Sequence, residues 1–209
     1  MDVAGLASAW IEIGRRLDQR GILAGTEGNF SQRLPDGRVL ITARGAFKGR
    51  LGAEDFSVID ASGRRIEGAE PSSEWRMHLG IYAVQEARAV VHAHPPFATA
   101  LAVAATPLPV EFLPELVSEF GAIPLVPYAT PGSEQLRVAI ERHFRKGNAA
   151  LLERHGIVTL GGDPWQACAR MEMLERAAQV FTLTRILKGE AGALSAEQAR
   201  ALSHPSRDG

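Results

Sequence analysis

Short apolar runs of strand length, twice separated by a turn tripeptide, constrain this chain more than any other feature. Residues 29–33 and 38–42 flank Pro35-Asp36-Gly37, and residues 56–60 and 64–67 flank Ala61-Ser62-Gly63. Connections this short join adjacent antiparallel strands, because a parallel pair needs a crossover of about a dozen residues or more. The first half of the chain is therefore expected to form hairpins.

Helices are signalled around them. Leu6, Trp10, Ile13 and Leu17 recur at steps of four and three, and Gly21 is placed to end that helix. Pro71-Ser72-Ser73-Glu74 opens a second helix reaching about Gln85, with Ser72 or Ser73 as the N-cap and Glu74 in the first turn. Residues 89–94 follow as a buried strand, and Pro95-Pro96 suits the first turn of another helix. A strand is expected over 122–126, a helix from Ser133 to about Phe144, and strands over 149–152 and 156–160. Asp163-Pro164 then starts a long helix with Ala167, Met171, Leu174, Ala178 and Phe181 on its apolar face. From residue 194 the tail is expected to form a short helix and then fray. Helices mixed with hairpins imply an α/β class: one α/β/α-layered domain over residues 1–209, with a predominantly antiparallel central sheet.

Hydrophobic residues make up 45% of the 209 and charged residues 22%, which is enough to fold a core unaided. Lys+Arg 23 against Asp+Glu 24, with no dense basic run, gives no electrostatic footprint for nucleic acid. The longest apolar run, 97–105, is far short of a membrane span, and the start lacks a signal-peptide pattern, so the expected location is cytoplasmic with no membrane partner. The single cysteine, Cys168, is expected to pack inertly.

Alternate residues of a strand share a face, so His92 and His94 project together. An isolated pair of this kind is often just polar residues at a strand end. His155, between two apolar runs and before Gly156, is a candidate third member. Three imidazoles suit zinc, and three ligands leave a position open for water or substrate, as catalytic sites require. His78, four residues after Glu74, is a competing ligand but is placed behind the site, and His143 and His204 are expected to face solvent. Ser72-Ser73 and Gly25-Thr26-Glu27-Gly28-Asn29 read either as ordinary turn and cap sequences or as backbone-amide cradles for an anion.

Together these segments resemble the class II aldolase/adducin family, closest to its L-fuculose-1-phosphate aldolases. The resemblance rests on Gly25 to Ser31, Leu40-Ile41-Thr42, Pro71 to His78, Val90 to His94, Pro127-Tyr128-Ala129 and His155-Gly156. It implies that His92, His94 and His155 hold Zn2+ or another divalent transition metal, that Glu74 is the catalytic acid/base, and that Gly28, Asn29, Gly45, Ser72 and Ser73 hold a substrate phosphate. It also implies a homotetramer with active sites between subunits. Two positions depart from the family pattern. Leu113 stands where these aldolases carry a tyrosine that protonates the carbonyl oxygen, and Arg44 replaces a phosphate-loop threonine. Arg44 is expected to supply a charged contact to the substrate phosphate, a role that Lys48 or Arg50 could take instead.

The implied reaction is zinc-dependent, reversible cleavage of a short ketose 1-phosphate, of the fuculose or deoxyribulose type, to dihydroxyacetone phosphate and an aldehyde. Glu74 would move the proton at the third carbon. Rival readings on the same frame are a methylthioribulose-1-phosphate dehydratase, a sugar-phosphate epimerase and a sugar-acid-phosphate decarboxylase. A non-catalytic adducin-like binding domain is the rival of another class, and the intact histidines with Glu74 argue against it.

Overall fold

The computed structural model describes residues 3–190 and 192–203. Helix α1 (Val3–Gln19) leads into the hairpin β1 (Asn29–Arg33) and β2 (Val39–Thr42). A second hairpin, β3 (Phe56–Ile59) and β4 (Arg65–Gly68), precedes α2 (Trp75–Val84) and β5 (Ala89–Ala93). Then come α3 (Pro96–Val103), α4 (Pro114–Phe120), β6 (Leu125–Val126), α5 (Glu134–His143), β7 (Ala149–Leu152) and β8 (Gly156–Gly161). The long α6 (Pro164–Lys188) and the short α7 (Ala196–Ser203) finish the described chain.

All eight strands form one sheet in the order β4-β3-β2-β1-β5-β8-β7-β6. Every pairing is antiparallel except β6 with β7. Side chains alternate across the sheet and separate its two apolar layers. Phe30, Leu40 and Val91 join the core under α1, α3, α4 and α6, whereas Ile41, Val90 and Val158 pack beneath α2 and α5. This is the expected α/β/α layering.

Several local signals act as anticipated. Trp10, Ile13 and Leu17 are fully buried. Gly21 (φ 69°) ends α1 while Ile22 N–H reaches back to Leu17 O at 3.0 Å, satisfying carbonyls that the helix end would otherwise orphan. Ser133 and Asp163 cap α5 and α6 by accepting from the amides of Leu136 and Gln166. Cys168 is 1% exposed, and burial pushes its thiol up to about 12, so it packs as a small hydrophobe.

Two expectations need correction, and one helix was missed. The N-cap of α2 is Glu74 itself, not a serine, and its carboxylate makes no capping bond. It turns toward the sheet, where better partners wait. The strand expected over 122–126 is only Leu125–Val126, because Pro124 has no N–H to give a ladder. The seven-residue α4 ahead of it, closed by Gly121 at φ 63°, was not anticipated. His204 and the end of the tail lie outside the described residues.

Candidate active site

β1 and β5 pair so that Asn29 stands directly opposite His92. The alternation then puts Asn29, Ser31 and Arg33 on the α2 side of β1, and His92 on the same side of β5. On α2, Glu74, His78 and Tyr82 succeed one another every four residues and so form a single stripe. Four helical residues rise about 6 Å and two strand residues about 6.6 Å, so the two polar stripes stay in step.

The contacts follow that match. Asn29 Nδ2 donates to Glu74 Oε2 at 2.9 Å, and Asn29 Oδ1 meets His78 Nε2. His78 Nδ1 lies 2.6 Å from Ser31 Oγ, which lies 2.8 Å from the Tyr82 hydroxyl. Arg33 closes the row with its guanidinium 4.7 Å from the centre of the Tyr82 ring. An ionised carboxylate only accepts, which fixes the direction of the whole row. Asn29 gives its N–H to Glu74, His78 gives its Nε2 proton to Asn29, Ser31 donates to His78 Nδ1, and Tyr82 donates to Ser31. His78 is fully buried and pushed down to about 3 by that burial, so it serves as a neutral ring within this row.

His94 follows β5 directly, and His155 sits in the β7–β8 turn. With His92 they offer ring nitrogens all within 4.8 Å of one another. His92 Nδ1 donates to Ile157 O at 2.9 Å, which leaves its Nε2 lone pair facing His94 Nε2 at 3.0 Å. Burial pushes His94 down to about 4 and His155 to about 3, with the neighbouring His92 adding to both shifts. Unprotonated nitrogens aimed at one point are the form a metal requires. Two buried atoms here also lack hydrogen-bond partners, Glu74 Oε1 and His155 Nδ1. The donor set and these orphaned atoms fit a divalent transition metal.

Glu74 touches the same cluster, with Oε2 3.1 Å from His92 Nε2 and Oε1 3.2 Å from His155 Nε2. Burial works to raise its pKa, but the two imidazoles and the Asn29 amide outweigh it and hold the carboxyl well below the usual range. It is held as a carboxylate.

A cavity of about 290 Å³ opens over this cluster. Gly28, Asn29, Arg44, Gly45, Ser72 and Ser73 all line it, together with Glu74, His94 and His155. His92 lies beneath it, fully buried. Gly28 has φ 72°, and a Cβ there would come within 2.5 Å of His92 O, so only glycine lets this loop lie against the histidine strand. Glu27, not among the expected site residues, and Lys48, the alternative to Arg44, line the cavity too. His143 is exposed on α5, away from it. Leu113, Tyr82 and Tyr128 are not among its lining residues.

The family model for the class II aldolase and adducin N-terminal domain matches residues 8–182. The chain belongs to this family. A 3-oxo-tetronate 4-phosphate decarboxylase of Haemophilus influenzae is 37% identical over 176 residues, which is 82% of this chain and 84% of the relative. An L-fuculose phosphate aldolase of the same organism is 36% identical over 162 residues, covering 77% and 74%. A solved L-fuculose 1-phosphate aldolase superposes with a TM-score of 0.90 at 29% identity, over 97% of this chain and 96% of that one. As a class II aldolase family enzyme the chain is metal-dependent and falls in the lyase class. Among the described residues no helix is long and apolar enough to cross a membrane.

Proposed function

We propose that this enzyme cleaves a carbon–carbon bond next to the hydroxyketone end of a short phosphorylated substrate, and that the bond is the one to a carboxylate: a sugar-acid-phosphate decarboxylase of the 3-oxo-tetronate 4-phosphate type. The observation that carries the choice is the cavity lining, in which no phenol appears; Leu113, outside that lining, is the position that the family resemblance matches to the aldolases' tyrosine. Aldol cleavage must take a proton from the departing hydroxyl, whereas a carboxylate leaves as CO2 without one. The decarboxylase relative supports the same reading.

His92, His94 and His155 would hold the metal, which we take to be Zn2+. A metal held there would supply Lewis-acid polarisation of the carbonyl and its neighbouring hydroxyl and would stabilise the negative charge released by bond cleavage. Glu74 accepts the hydroxyl proton and returns it to the carbon that CO2 has left, while one proton from solvent restores the hydroxyl. Asn29 holds Glu74 in place from behind. Gly28, Gly45, Ser72 and Ser73 cradle the phosphate, and Arg44 adds a planar pair of donors. In both decarboxylation and aldol cleavage of such substrates the pair of electrons ends on the same three-carbon fragment, which leaves as dihydroxyacetone phosphate.

Aldol cleavage of a ketose 1-phosphate is the second reading, favoured by Glu27. Its carboxylate lines the cavity 3.7 Å from His94 Nδ1 and offers a base for the departing hydroxyl. We further hold that the enzyme is a cytoplasmic homotetramer with sites at subunit interfaces, in keeping with the apolar outer face of α6, where Ile186 is 74% and Leu187 82% exposed.

The deciding experiment supplies the metal-loaded enzyme with 3-oxo-tetronate 4-phosphate, fuculose 1-phosphate and methylthioribulose 1-phosphate in parallel. Release of CO2 with dihydroxyacetone phosphate from the first is the expected result. Faster turnover of fuculose 1-phosphate would establish the aldolase reading instead, and water loss from the third with neither of the others cleaved would overturn both.

A further inference from the structure

Lys48 is a lysine with almost no access to solvent: it is 2% exposed and yet lines the wall of the cavity. It begins a one-turn 3-10 helix, Lys48–Arg50, whose backbone is pressed against α1 so closely that a Cβ at Gly14 would lie 2.1 Å from Lys48 O. The side chain therefore runs inward. Its Nζ donates to Thr26 O at 2.8 Å and to Ala46 O at 2.7 Å, tying together two loops that both border the cavity.

An ammonium carries three N–H groups, and these carbonyls use two. Among the described residues no carboxylate lies within ion-pair distance of it, and Asp55 and Glu74 attract it only from farther away. A buried cation without a countercharge is costly to maintain, and in a cavity wall it marks the place where an anion completes the balance.

We propose that Lys48 is the buried cation that receives the dianionic group of the substrate, its third N–H directed at the phosphate held by the Gly28, Gly45 and Ser72–Ser73 loops, making it a specificity-determining residue for doubly charged ligands. This rests on the reading that the substrate is phosphorylated, but not on which bond the enzyme cleaves. Arg44, on the exposed rim, meets the ligand on entry, whereas Lys48 meets it inside.

The pH dependence separates this role from a purely structural one. Burial lowers Lys48 to about 8, against the pull of Asp55 and Glu74. The other charged groups around it are Asp18 of α1, against Gly49, and Glu27 and Arg44 on the cavity wall; carboxylates and guanidinium groups do not titrate between pH 7 and 9. His94 and His155 are already neutral below that range. Deprotonation of Lys48 therefore weakens dianion binding as pH rises through 8, by up to about tenfold per pH unit.

Sulfate is the suitable probe, since it stays dianionic throughout. Calorimetric titration of sulfate into the metal-loaded enzyme is expected to give affinity falling about tenfold between pH 7 and 9. Lys48→Met is expected to bind sulfate at least about tenfold more weakly at pH 7, the scale of one charge-assisted hydrogen bond, and to show no such fall. A flat profile in the parent enzyme overturns the proposal even where Lys48→Met does not fold. So does a folded Lys48→Met that keeps parental affinity, and in that case the lyase reading stands untouched. Lys48-dependent sulfate binding in an enzyme that cleaves none of the three substrates would leave this inference standing and remove the other.

Discussion

Asn29 turns its amide nitrogen, not its oxygen, toward Glu74, and the reason lies behind it in His78. The β1 stripe Asn29, Ser31, Arg33 and the α2 stripe Glu74, His78, Tyr82 interlock over their whole length, so the orientation of Glu74 is set by a row of hydrogen bonds ending at Tyr82. Replacing His78 by Leu leaves Asn29 Oδ1 buried without a partner, at about 1–3 kcal/mol in stability, and takes from Ser31 Oγ its acceptor while Tyr82 still donates to it. It also frees the Asn29 amide to flip. The expected result is a drop in kcat with KM nearly unchanged and metal retained. Tyr82→Phe removes only the last donor and should cost about 1 kcal/mol. Equal losses from the two substitutions, in denaturant titrations and in kcat, would mean that the row does not transmit position.

The metal assignment is tested most cleanly at His155, whose Nδ1 has no hydrogen-bond partner and whose Nε2 only approaches Glu74. The fold asks little of this ring, so His155→Ala is expected to remain folded while losing bound metal and activity together, as removal of one ligand of three implies. Full metal occupancy by elemental analysis of a folded His155→Ala protein would sink the assignment.

Acid should unfold the metal-free protein for a specific reason. His78, His94 and His155 lie at about 3, 4 and 3 in the folded state against 6.5 when exposed, mainly through burial. The unfolded chain therefore binds protons first as pH falls, and stability is lost from about pH 6.5 downward toward the folded values. Thermal midpoints of chelator-treated protein measured from pH 7 to 4 should fall steadily. A midpoint unchanged down to pH 4.5 would contradict this.

Glu74→Gln keeps the shape of the group and an oxygen for Asn29 but cannot take up a proton. Turnover should fall by roughly 10²–10⁴, the usual scale for a lost general acid/base, with metal content unchanged. Near-normal turnover would assign the proton transfer to another group, for which Glu27 on the same cavity wall is a candidate.

Much of this was legible because the signals are local. Turn tripeptides mark the hairpins, Ser133 and Asp163 mark helix starts, and alternation in a strand puts His92 and His94 on one side. The identity of the α2 cap was not legible from Ser72-Ser73-Glu74, because the carboxylate is drawn to Asn29, which lies 45 residues away in sequence. Lys48 could be read as an alternative to Arg44 for the phosphate, but not as a buried residue, because its burial depends on the close approach of α1 at Gly14. The interlocking stripes had a visible signature, polar residues every second position from 29 to 33 and every fourth from 74 to 82. Reading them as partners required knowing that β1 and α2 lie face to face. That in turn depends on β1 pairing with β5, a long-range choice that no short window of sequence contains.

Two glycines of the first cavity loop separate backbone conformation from close packing. A Cβ added at Gly25 (φ 61°) would meet nothing within 4 Å, whereas one at Gly28 (φ 72°) would lie 2.5 Å from His92 O and 3.3 Å from Ala93 Cα. Alanine at Gly25 should therefore cost only the left-handed backbone penalty of about 1–2 kcal/mol. Alanine at Gly28 adds a clash with backbone that cannot move without shifting β5, and β5 carries His92. The loop must retreat from the strand, carrying its cradle of amides away from the metal cluster. The expected outcome is a larger loss of stability for Gly28→Ala than for Gly25→Ala, together with weaker sulfate binding and a raised KM that Gly25→Ala does not share. Matching sulfate affinities in the two variants would show that the contact between Gly28 and His92 does not position the anion site.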